Sequence, residues 1–310
     1  MPSVRRIPLT NREAMKPFRL LVFLLLMALS VVLAQRRGGF GGGPFGGGRS
    51  YDYDSARTPR EIPQDQNPTP VWTNAPGFER DGFTFVRIKR SRRDGSRGFG
   101  GGFPWSTDTP DSDLNLSYRL QQMTSMKVDP DGLFLHLTEK ELSDYPFIYM
   151  VEPGSLYLSD EEAVALRKYL LNGGFLWLDD FWGDSAWVNV EQIMKKVFSD
   201  RDFVELPLTN QLYHCVFDIK SKGQVPNVRT GTQSQYTGAT WETFHDGDTR
   251  TVHHRAIFDD KNRLMVFATH NTDNGDGWEW EGDNHYYFEN FSEKISYPLA
   301  VNVIFYVMSH

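Results

Sequence analysis

The side chains best suited to chemistry follow two apolar runs, residues 175–178 and 264–269, where each run ends. They are Asp179, Asp180, Asp184, His270 and Asp273. Because carboxylate oxygens suit calcium or magnesium, Asp179, Asp180 and His270 are the candidate ligands of a divalent cation. The alternative is structural: Asp180 caps the following helix and Asp179 accepts hydrogen bonds from loop amides. This pattern identifies no catalytic residue, and a divalent cation is the one cofactor that it suggests.

A second group of residues places aromatic rings beside carboxylates. Trp278 and Glu279 begin a segment in which Trp280, Tyr286 and Tyr287 are interspersed with acidic residues. Aromatic faces next to carboxylates suit sugar rings, whose CH groups stack while their hydroxyls donate hydrogen bonds. Aromatic residues serve equally in protein interfaces or as a cover over the domain's own core. Trp278 and Glu279 are therefore candidate ligand-binding residues.

Histidine and cysteine do not form a metal-binding pattern. His253 and His254 are neighbours on a predicted strand, so their side chains point to opposite faces and cannot ligate one ion from that strand. The single cysteine, Cys215, excludes an internal disulfide and a thiolate cluster. It lies within a predicted strand, residues 213–219, and is expected to act as a small buried hydrophobe.

Apolar strands alternate with amphipathic helices from residue 80 onward. The apolar run at residues 147–151 is typical of a strand buried on both faces. Residues 159–162 form a capping box before a helix that ends at residues 172–174. This alternation predicts an α/β domain with a mostly parallel, doubly wound, flavodoxin-like sheet and helices on both faces. Ligands bind beyond the carboxyl ends of the strands in such sheets, where the first group of candidate residues lies.

The N-terminus has the pattern of an export signal. In residues 1–34, Lys16 and Arg19 precede an apolar run from Leu20 to Ala34, which is shorter than the roughly 20 residues of a membrane span. A signal peptide cleaved before residue 35 is expected, which makes the protein periplasmic or secreted. The alternative is an uncleaved segment that anchors the protein in the inner membrane, facing outward.

A linker and one domain follow the signal. Eight of the eleven residues from Gly38 to Gly48 are glycine, and several prolines follow them. This composition predicts a disordered, flexible linker over residues 35–79. The α/β domain is expected to occupy residues 80–310.

Charge limits the partners of the domain. Residues 104–310 carry 32 acidic and 16 basic side chains. Such a surface repels phosphate backbones, so no nucleic-acid partner is expected. A protein or carbohydrate partner at the cell envelope fits the export signal, and contact with the membrane is expected only through the N-terminal segment.

Three separated segments carry a family resemblance. They read WSTDTPDSDLNLSYRLQQMTSMKV (105–128), YPFIYMVEPGSLYLSDEEAVALRKYLLNGGFLWLDDFWGD (145–184) and FATHNTDNGDGWEW (267–280). In this order they resemble the exported bacterial family catalogued as domain of unknown function 4159, over about residues 82–310. That family is similar in architecture to the class I glutamine amidotransferase-like fold. The resemblance therefore implies a fold and no established activity.

The resemblance also implies where reactive residues would stand. Glutamine amidotransferases place a nucleophilic cysteine on a tight turn after a strand and a histidine after a later strand. Asp179 and Asp180 occupy that turn here, and His270 matches the histidine. A carboxylate cannot open an amide through a thioester, so glutaminase activity is not expected.

The expected function is an exported, non-catalytic binding or assembly domain with a degenerate amidotransferase-like site. The alternative is a metal-dependent hydrolase or carbohydrate-processing enzyme that uses Asp179, Asp180 and His270.

Overall fold

The computed structural model describes residues 53–65, 68–75, 82–90 and 103–310. The predicted signal peptide and the first part of the predicted linker lie outside these residues. The strands are β1 (Val86–Ile88), β2 (Leu133–Leu135), β3 (Phe147–Val151), β4 (Phe175–Phe181), β5 (Val204–Glu205), β6 (His253–Phe258) and β7 (Leu264–His270). The α-helices are α1 (Asp111–Met123), α2 (Asp160–Leu171), α3 (Gly183–Val197), α4 (Val228–Thr237), α5 (Asn274–Glu279), α6 (His285–Tyr287) and α7 (Tyr297–Ser309), with a π-helix, Phe288–Ser296, between α6 and α7.

The strands form one mixed sheet in the order β2-β1-β3-β4-β7-β6-β5. The first five in this order are parallel to one another. β6 pairs antiparallel with β7, and β5 pairs antiparallel with β6. The tight turn at residues 259–262 explains the change of direction, because a short hairpin can join only antiparallel neighbours. The prediction of a mixed α/β domain with a mostly parallel sheet is confirmed.

Helices cover both faces of the sheet. Apolar side chains of α1 and α7 pack on the face that carries Phe147, Tyr149 and Trp177. Those of α2 and α3 pack on the face that carries Ile148 and Leu176. Alternate residues of β3 and β4 therefore enter different cores, as the two-residue repeat of a strand requires. Among the helices in the described ranges, none is long and apolar enough to cross a bilayer.

The α2 helix begins as its sequence predicts. The Ser159 side chain accepts a hydrogen bond from the Glu162 backbone N–H, and the Glu162 carboxylate accepts one from the Ser159 N–H. The helix ends at Leu171, and Gly173 follows with φ of 110°. Local sequence is enough to set these boundaries, because each capping contact joins residues within one turn.

The described part of the predicted linker packs against the domain, so the prediction of a flexible tether over residues 35–79 is wrong for it. Ala56 and Ile62 are buried beside Trp105 and Phe134. The Phe134 N–H donates to the Arg57 carbonyl at 2.8 Å, which extends the hydrogen bonding beyond the edge strand β2. A high content of glycine and proline predicts that a segment forms little helix or strand. It does not predict whether the apolar residues between the prolines pack against the domain.

The prediction of a strand over residues 213–219 is also wrong. A 3₁₀-helix, Gln211–His214, is followed by turns. The backbone N–H groups of Val216 and Phe217 donate to the Asn302 Oδ1 atom on α7, at 3.1 and 2.7 Å. A side chain therefore satisfies the amides that a neighbouring strand would otherwise pair. Cys215 is half-buried there, not fully buried.

Candidate functional site

A cavity of about 490 Å³ opens at the carboxyl ends of β3, β4 and β7. Six carboxylic residues line it: Asp108, Glu152, Asp180, Glu242, Asp273 and Asp276. Its lining residues in the described ranges include no lysine or arginine. The cavity therefore concentrates negative charge at the edge of the sheet where ligands of parallel α/β domains bind.

The backbone around the cavity is unusual. Asp108, Glu152 and Asp180 have φ of 63°, 48° and 55°, and these three are among the five non-glycine residues with positive φ that the structure describes. The left-handed region costs a residue with a Cβ about 1 kcal/mol or more. Such conformations are often found at functional sites, where the surrounding structure enforces them. Here three carboxylates from three separate segments, one of them within β4, line one cavity.

Asp180 enters the cavity because of an irregularity in β4. The pairing of β4 with β7 shifts register between Leu178 and Phe181, so Asp180 lies in a bulge. Asp180 Oδ1 accepts a hydrogen bond of 3.2 Å from Trp182 Nε1. Asp180 does not cap α3, whose N-cap residue is Trp182 with no side-chain cap. The Gly183 N–H donates instead to Asn271 Oδ1 at 2.9 Å.

Asp179 lies beneath the cavity and is fully buried. Its carboxylate accepts hydrogen bonds from five donors: Tyr149 Oη (2.9 Å), Thr269 Oγ1 (2.5 Å), Asn274 N (3.0 Å), Asn274 Nδ2 (2.8 Å) and Gly275 N (3.2 Å). The alternative role predicted for this residue, acceptance from loop amides, is what the contacts show. Asp179 joins β4 to β3, to β7 and to the first turn of α5.

Two sets of oxygen atoms are close enough to share a cation. One oxygen each of Asp108, Asp180 and Asp273 lie within 4.8 Å of one another, and so do one oxygen each of Asp108, Asp276 and Glu279. Asp108 belongs to both sets. Calcium takes six to eight oxygen ligands at about 2.3–2.6 Å, which allows such separations between ligand atoms.

Burial and mutual repulsion raise the pKa values of the carboxyl groups in the cavity. Burial raises the pKa of Asp108, Asp180 and Asp273 well above the ordinary value. The next largest cause is a neighbouring carboxylate in each case: Asp276 for Asp108, Glu152 for Asp180, and Asp180 for Asp273. A bound cation would remove this repulsion, because it adds positive charge where these groups converge.

Asp108 has an oxygen that lacks a partner. Its Oδ2 atom is buried and accepts no hydrogen bond from the residues that the structure describes. Gly275 makes room for it, since a Cβ at that position would lie 2.3 Å from Asp108 Oδ2. A buried acceptor without a donor costs free energy, which a ligand would recover.

His270 does not join the cavity. Its Nε2 lies 2.9 Å from the Gly183 carbonyl, and its Nδ1 lies 3.0 Å from a guanidinium nitrogen of Arg255. The imidazole stacks on Phe181 with ring centroids 4.9 Å apart. Burial lowers the pKa of His270 to about 4, so the ring is neutral and donates from Nε2 to the carbonyl. The structure does not bring His270 together with Asp180.

The other predicted residues divide between the cavity and the rest of the domain. Asp273 lines the cavity, and its Oδ1 accepts a 2.9 Å hydrogen bond from the Asp276 N–H. Glu279 belongs to the second oxygen set; burial, followed by the charges of Asp108 and Asp276, raises its pKa to about 11. Asp184 is exposed on the first turn of α3 and does not line the cavity.

Trp278 is not available as a surface for sugars. It is fully buried and packs edge-on against Trp177, with ring centroids 5.4 Å apart, and against Tyr149 at 5.7 Å. Tyr287 is also fully buried. Trp278 and Tyr287 therefore pack in the domain's own core, which is the alternative to a sugar-binding surface. The aromatic ring exposed at the mouth of the cavity is Phe244, which is 71% exposed and lies against His245.

Sequence reasoning missed Asp108, Asp276 and Glu242. Asp108 precedes α1 and is far in sequence from the apolar runs that predict β4 and β7. Asp276 lies in an acidic segment whose spacing does not match an EF-hand and which forms α5 in the structure. Glu242 accepts hydrogen bonds from the Asn227 N–H and from Asn227 Nδ2, in a segment without a strand. A search for acids just before a helix or in its first turn would have found the first two.

Residues 85–308 match the family model described as Domain of unknown function (DUF4159). The chain belongs to this family. The match spans β1 to α7 and so includes every carboxylate of the cavity. A comparison with curated proteins gives no significant match. Membership in DUF4159 carries no activity with it, so function has to be inferred from the cavity.

Proposed function

We propose that this DUF4159 domain is an exported, non-catalytic binding module that holds a divalent cation in its acidic cavity. The observation that carries the proposal is the convergence of Asp108, Asp180 and Asp273, with one oxygen from each within 4.8 Å of the others. The unpartnered Asp108 Oδ2 and the lack of a lysine or arginine among the described lining residues support it. Buried charges of one sign need a counter-charge, and a cation would supply it.

The donor atoms favour calcium over zinc. Every group in both oxygen sets is a carboxylate, and hard oxygen ligands suit calcium and magnesium. Zinc prefers nitrogen and sulfur ligands. His245 is the histidine that lines the cavity, and its Nε2 already lies 3.1 Å from Glu242 Oε2. Calcium fits better than magnesium, because it tolerates irregular geometry and keeps open positions for oxygens of a ligand.

A class I glutamine amidotransferase-like ancestry is part of the proposal. Asp180, the last but one residue of β4, has a left-handed backbone at the carboxyl edge of the sheet, where those enzymes hold their nucleophile. Without a thiol at this position, the site cannot form a thioester. These features support binding as the function, in place of amide hydrolysis.

The hydrolase or carbohydrate-processing alternative needs Asp179, Asp180 and His270 to act together. Asp179 already accepts five hydrogen bonds, and His270 contacts Gly183 and Arg255 outside the cavity lining. Of the three, only Asp180 lines the cavity. The geometry therefore gives this alternative less support than binding.

The partner that we propose is an oxygen-bearing protein or carbohydrate at the cell envelope. Oxygens of the partner would occupy the open coordination positions of the cation. The exposed ring of Phe244 at the mouth of the cavity would pack on an apolar face of the partner. Export through the N-terminal signal and a periplasmic or secreted location belong to the same proposal.

The proposal is tested by thermal unfolding of the full chain, after chelation, with calcium, magnesium or zinc chloride added. A ligand at about 100 times its Kd stabilises the folded state by about 2.7 kcal/mol, which raises the Tm by about 5 °C or more for a domain of this size. We expect this rise with calcium for the native chain and for Asp184→Asn. We expect none for Asp180→Asn or Asp108→Asn.

Asp184→Asn is the matched control, because Asp184 lies four residues after Asp180 but is exposed and outside the cavity lining. Circular dichroism of each variant verifies its fold. A native chain that responds to no divalent cation, by Tm or by calorimetric titration, contradicts the proposal. An Asp180→Asn variant that keeps the full response contradicts it as well.

A further inference from the structure

A second cavity, of about 360 Å³, lies apart from the acidic one and shares none of its lining residues. Its walls are mostly apolar and come from the segment after the 3₁₀-helix and from the start of α7. They include Phe217, Ile219, Ile295 and Leu299. Part of the wall is the π-helix Phe288–Ser296. Helices of this form are rare in proteins, and those that occur are often found at functional sites.

His254 lines this cavity with a polar atom that lacks a partner. The residue is 1% exposed, and its Nε2 accepts or donates no hydrogen bond among the described residues. Its Nδ1 lies 2.9 Å from the Tyr213 hydroxyl. His253, the preceding residue, stacks instead on His270, so the two side chains do point to opposite faces of the sheet.

The contact with Tyr213 sets the tautomer of His254. Tyr213 is fully buried, and Nδ1 of His254 is the hydrogen-bond partner of its hydroxyl. A buried phenol has to donate its proton, so the hydroxyl donates to Nδ1 and the ring carries its own proton on Nε2. Burial lowers the pKa of His254 to about 3, which keeps the imidazole neutral. Its Nε2–H is therefore a buried donor in the cavity wall that lacks an acceptor among the described residues.

Charged side chains among the lining residues give the cavity a positive balance. Lys220 and Lys294 line it together with Asp218. The Lys220 ammonium pairs with Asp218 at 2.5 Å, and the Lys294 ammonium donates to Asn290 Oδ1 at 2.8 Å. Two cations against one carboxylate favour an anionic group on a ligand.

We propose that this cavity binds an organic carboxylate whose apolar body carries an uncharged oxygen acceptor. The acceptor takes the hydrogen bond of His254 Nε2–H, the apolar body packs against the walls, and the carboxylate lies near Lys220 and Lys294. No bond is made or broken. The site is independent of the acidic cavity and of any cation bound there.

The test uses two benzoates of nearly equal size. The first, 4-acetylbenzoate, has a ketone oxygen that accepts a hydrogen bond, and the second, 4-isopropylbenzoate, has none. Calorimetric titration of the full chain is expected to give about tenfold tighter binding of 4-acetylbenzoate. That ratio corresponds to about 1.4 kcal/mol, the contribution of one hydrogen bond.

Variants assign the binding to this cavity. His254→Phe keeps an aromatic ring against Tyr213 and is expected to abolish the difference between the two benzoates. Lys294→Gln is expected to weaken both benzoates about threefold at low salt. Lys261→Gln, in the exposed turn between β6 and β7, is the control and leaves both affinities unchanged.

Three outcomes overturn the proposal. They are equal affinities of the native chain for both benzoates, no binding of either at millimolar concentration, and an unchanged preference in His254→Phe. Equal affinities would mean that Nε2–H holds only an ordered water. If His254→Phe does not fold, the preference of the native chain and the Lys294→Gln titration still decide the matter. Addition of a chelator is expected to change none of these affinities, which separates this test from that of the acidic cavity.

Discussion

Asp179 and Asp180 are consecutive residues of β4, yet their carboxylates have different surroundings. Asp179 is fully buried and accepts a 2.9 Å hydrogen bond from the Tyr149 hydroxyl. Asp180, at φ of 55°, lines the acidic cavity. The bulge between Leu178 and Phe181 accompanies this difference: one carboxylate is turned into the fold and the next toward the cavity.

Asp179→Ala is expected to destabilise the domain by about 3 kcal/mol or more. The substitution leaves several buried donors, among them the hydroxyls of Tyr149 and Thr269, without their acceptor, and each such group costs about 1–3 kcal/mol. Urea unfolding gives the free energy of unfolding. Asp184→Ala, on the exposed turn of α3, is the control and is expected to unfold like the native chain. An Asp179→Ala variant as stable as this control would show that water replaces the lost acceptor.

Substitution of Asp180 separates backbone strain from ligand binding. A residue with a Cβ pays a steric cost at positive φ that glycine does not, so Asp180→Gly is expected to be about 1 kcal/mol more stable than Asp180→Ala. Both variants lack the carboxylate and are expected to lose the thermal response to calcium. Urea unfolding without cation compares their stabilities. Equal stabilities would mean that the loop relaxes out of the left-handed region when the side chain is removed.

The pH dependence of stability without cation has a definite sign. Burial raises the pKa of Asp276 to about 6 from its ordinary value of 3.8, so the folded state binds this proton more tightly than the unfolded state. The resulting stabilisation is complete below about pH 4 and is lost as the pH rises through 6. We therefore expect the native chain to lose stability relative to Asp276→Asn between pH 4.5 and 7.5. Urea unfolding with a chelator measures this, and parallel curves for the two proteins would contradict it.

The pair Arg87–Asp113 anchors the loop that carries Asp108. Both side chains are fully buried; Arg87 Nε donates to Asp113 Oδ2 at 2.9 Å, and Arg87 also donates to the Thr107 carbonyl at 2.9 Å. Removal of one member of a buried ion pair costs about 3–5 kcal/mol. Arg87→Met is therefore expected to destabilise the domain by that amount, as measured by urea unfolding.

A matched surface pair shows whether the burial of Arg87 matters. Arg167 and Asp200 also form an ion pair, at 2.8 Å, but both side chains are solvent-exposed. Because exposed pairs contribute little, Arg167→Met is expected to leave the free energy of unfolding essentially unchanged. Equal effects of the two substitutions would contradict the anchoring role of Arg87.

Local sequence predicted the elements whose signals are complete within a few residues. The capping box at Ser159 and the apolar run at Phe147–Val151 are both found in the structure. Asp180 was expected after the strand, but β4 continues to Phe181, and Asp180 lies in a bulge within it. The strand expected at residues 213–219 failed because a distant side chain, Asn302, binds the amides that define it. The linker expected before residue 80 failed in its described part because Ala56 and Ile62 pack against Trp105 and Phe134.

The sequence by itself determined the family, the mixed α/β class and three carboxylates of the candidate site: Asp180, Asp273 and Glu279. Only the tertiary structure decided that Asp108, Asp180 and Asp273 share a cavity and that His270 does not. The reason is physical. Hydrophobic periodicity and capping are set by neighbours within one or two turns of the chain. The meeting of side chains from separate segments depends instead on how α1, β4 and the segment after β7 pack around one sheet.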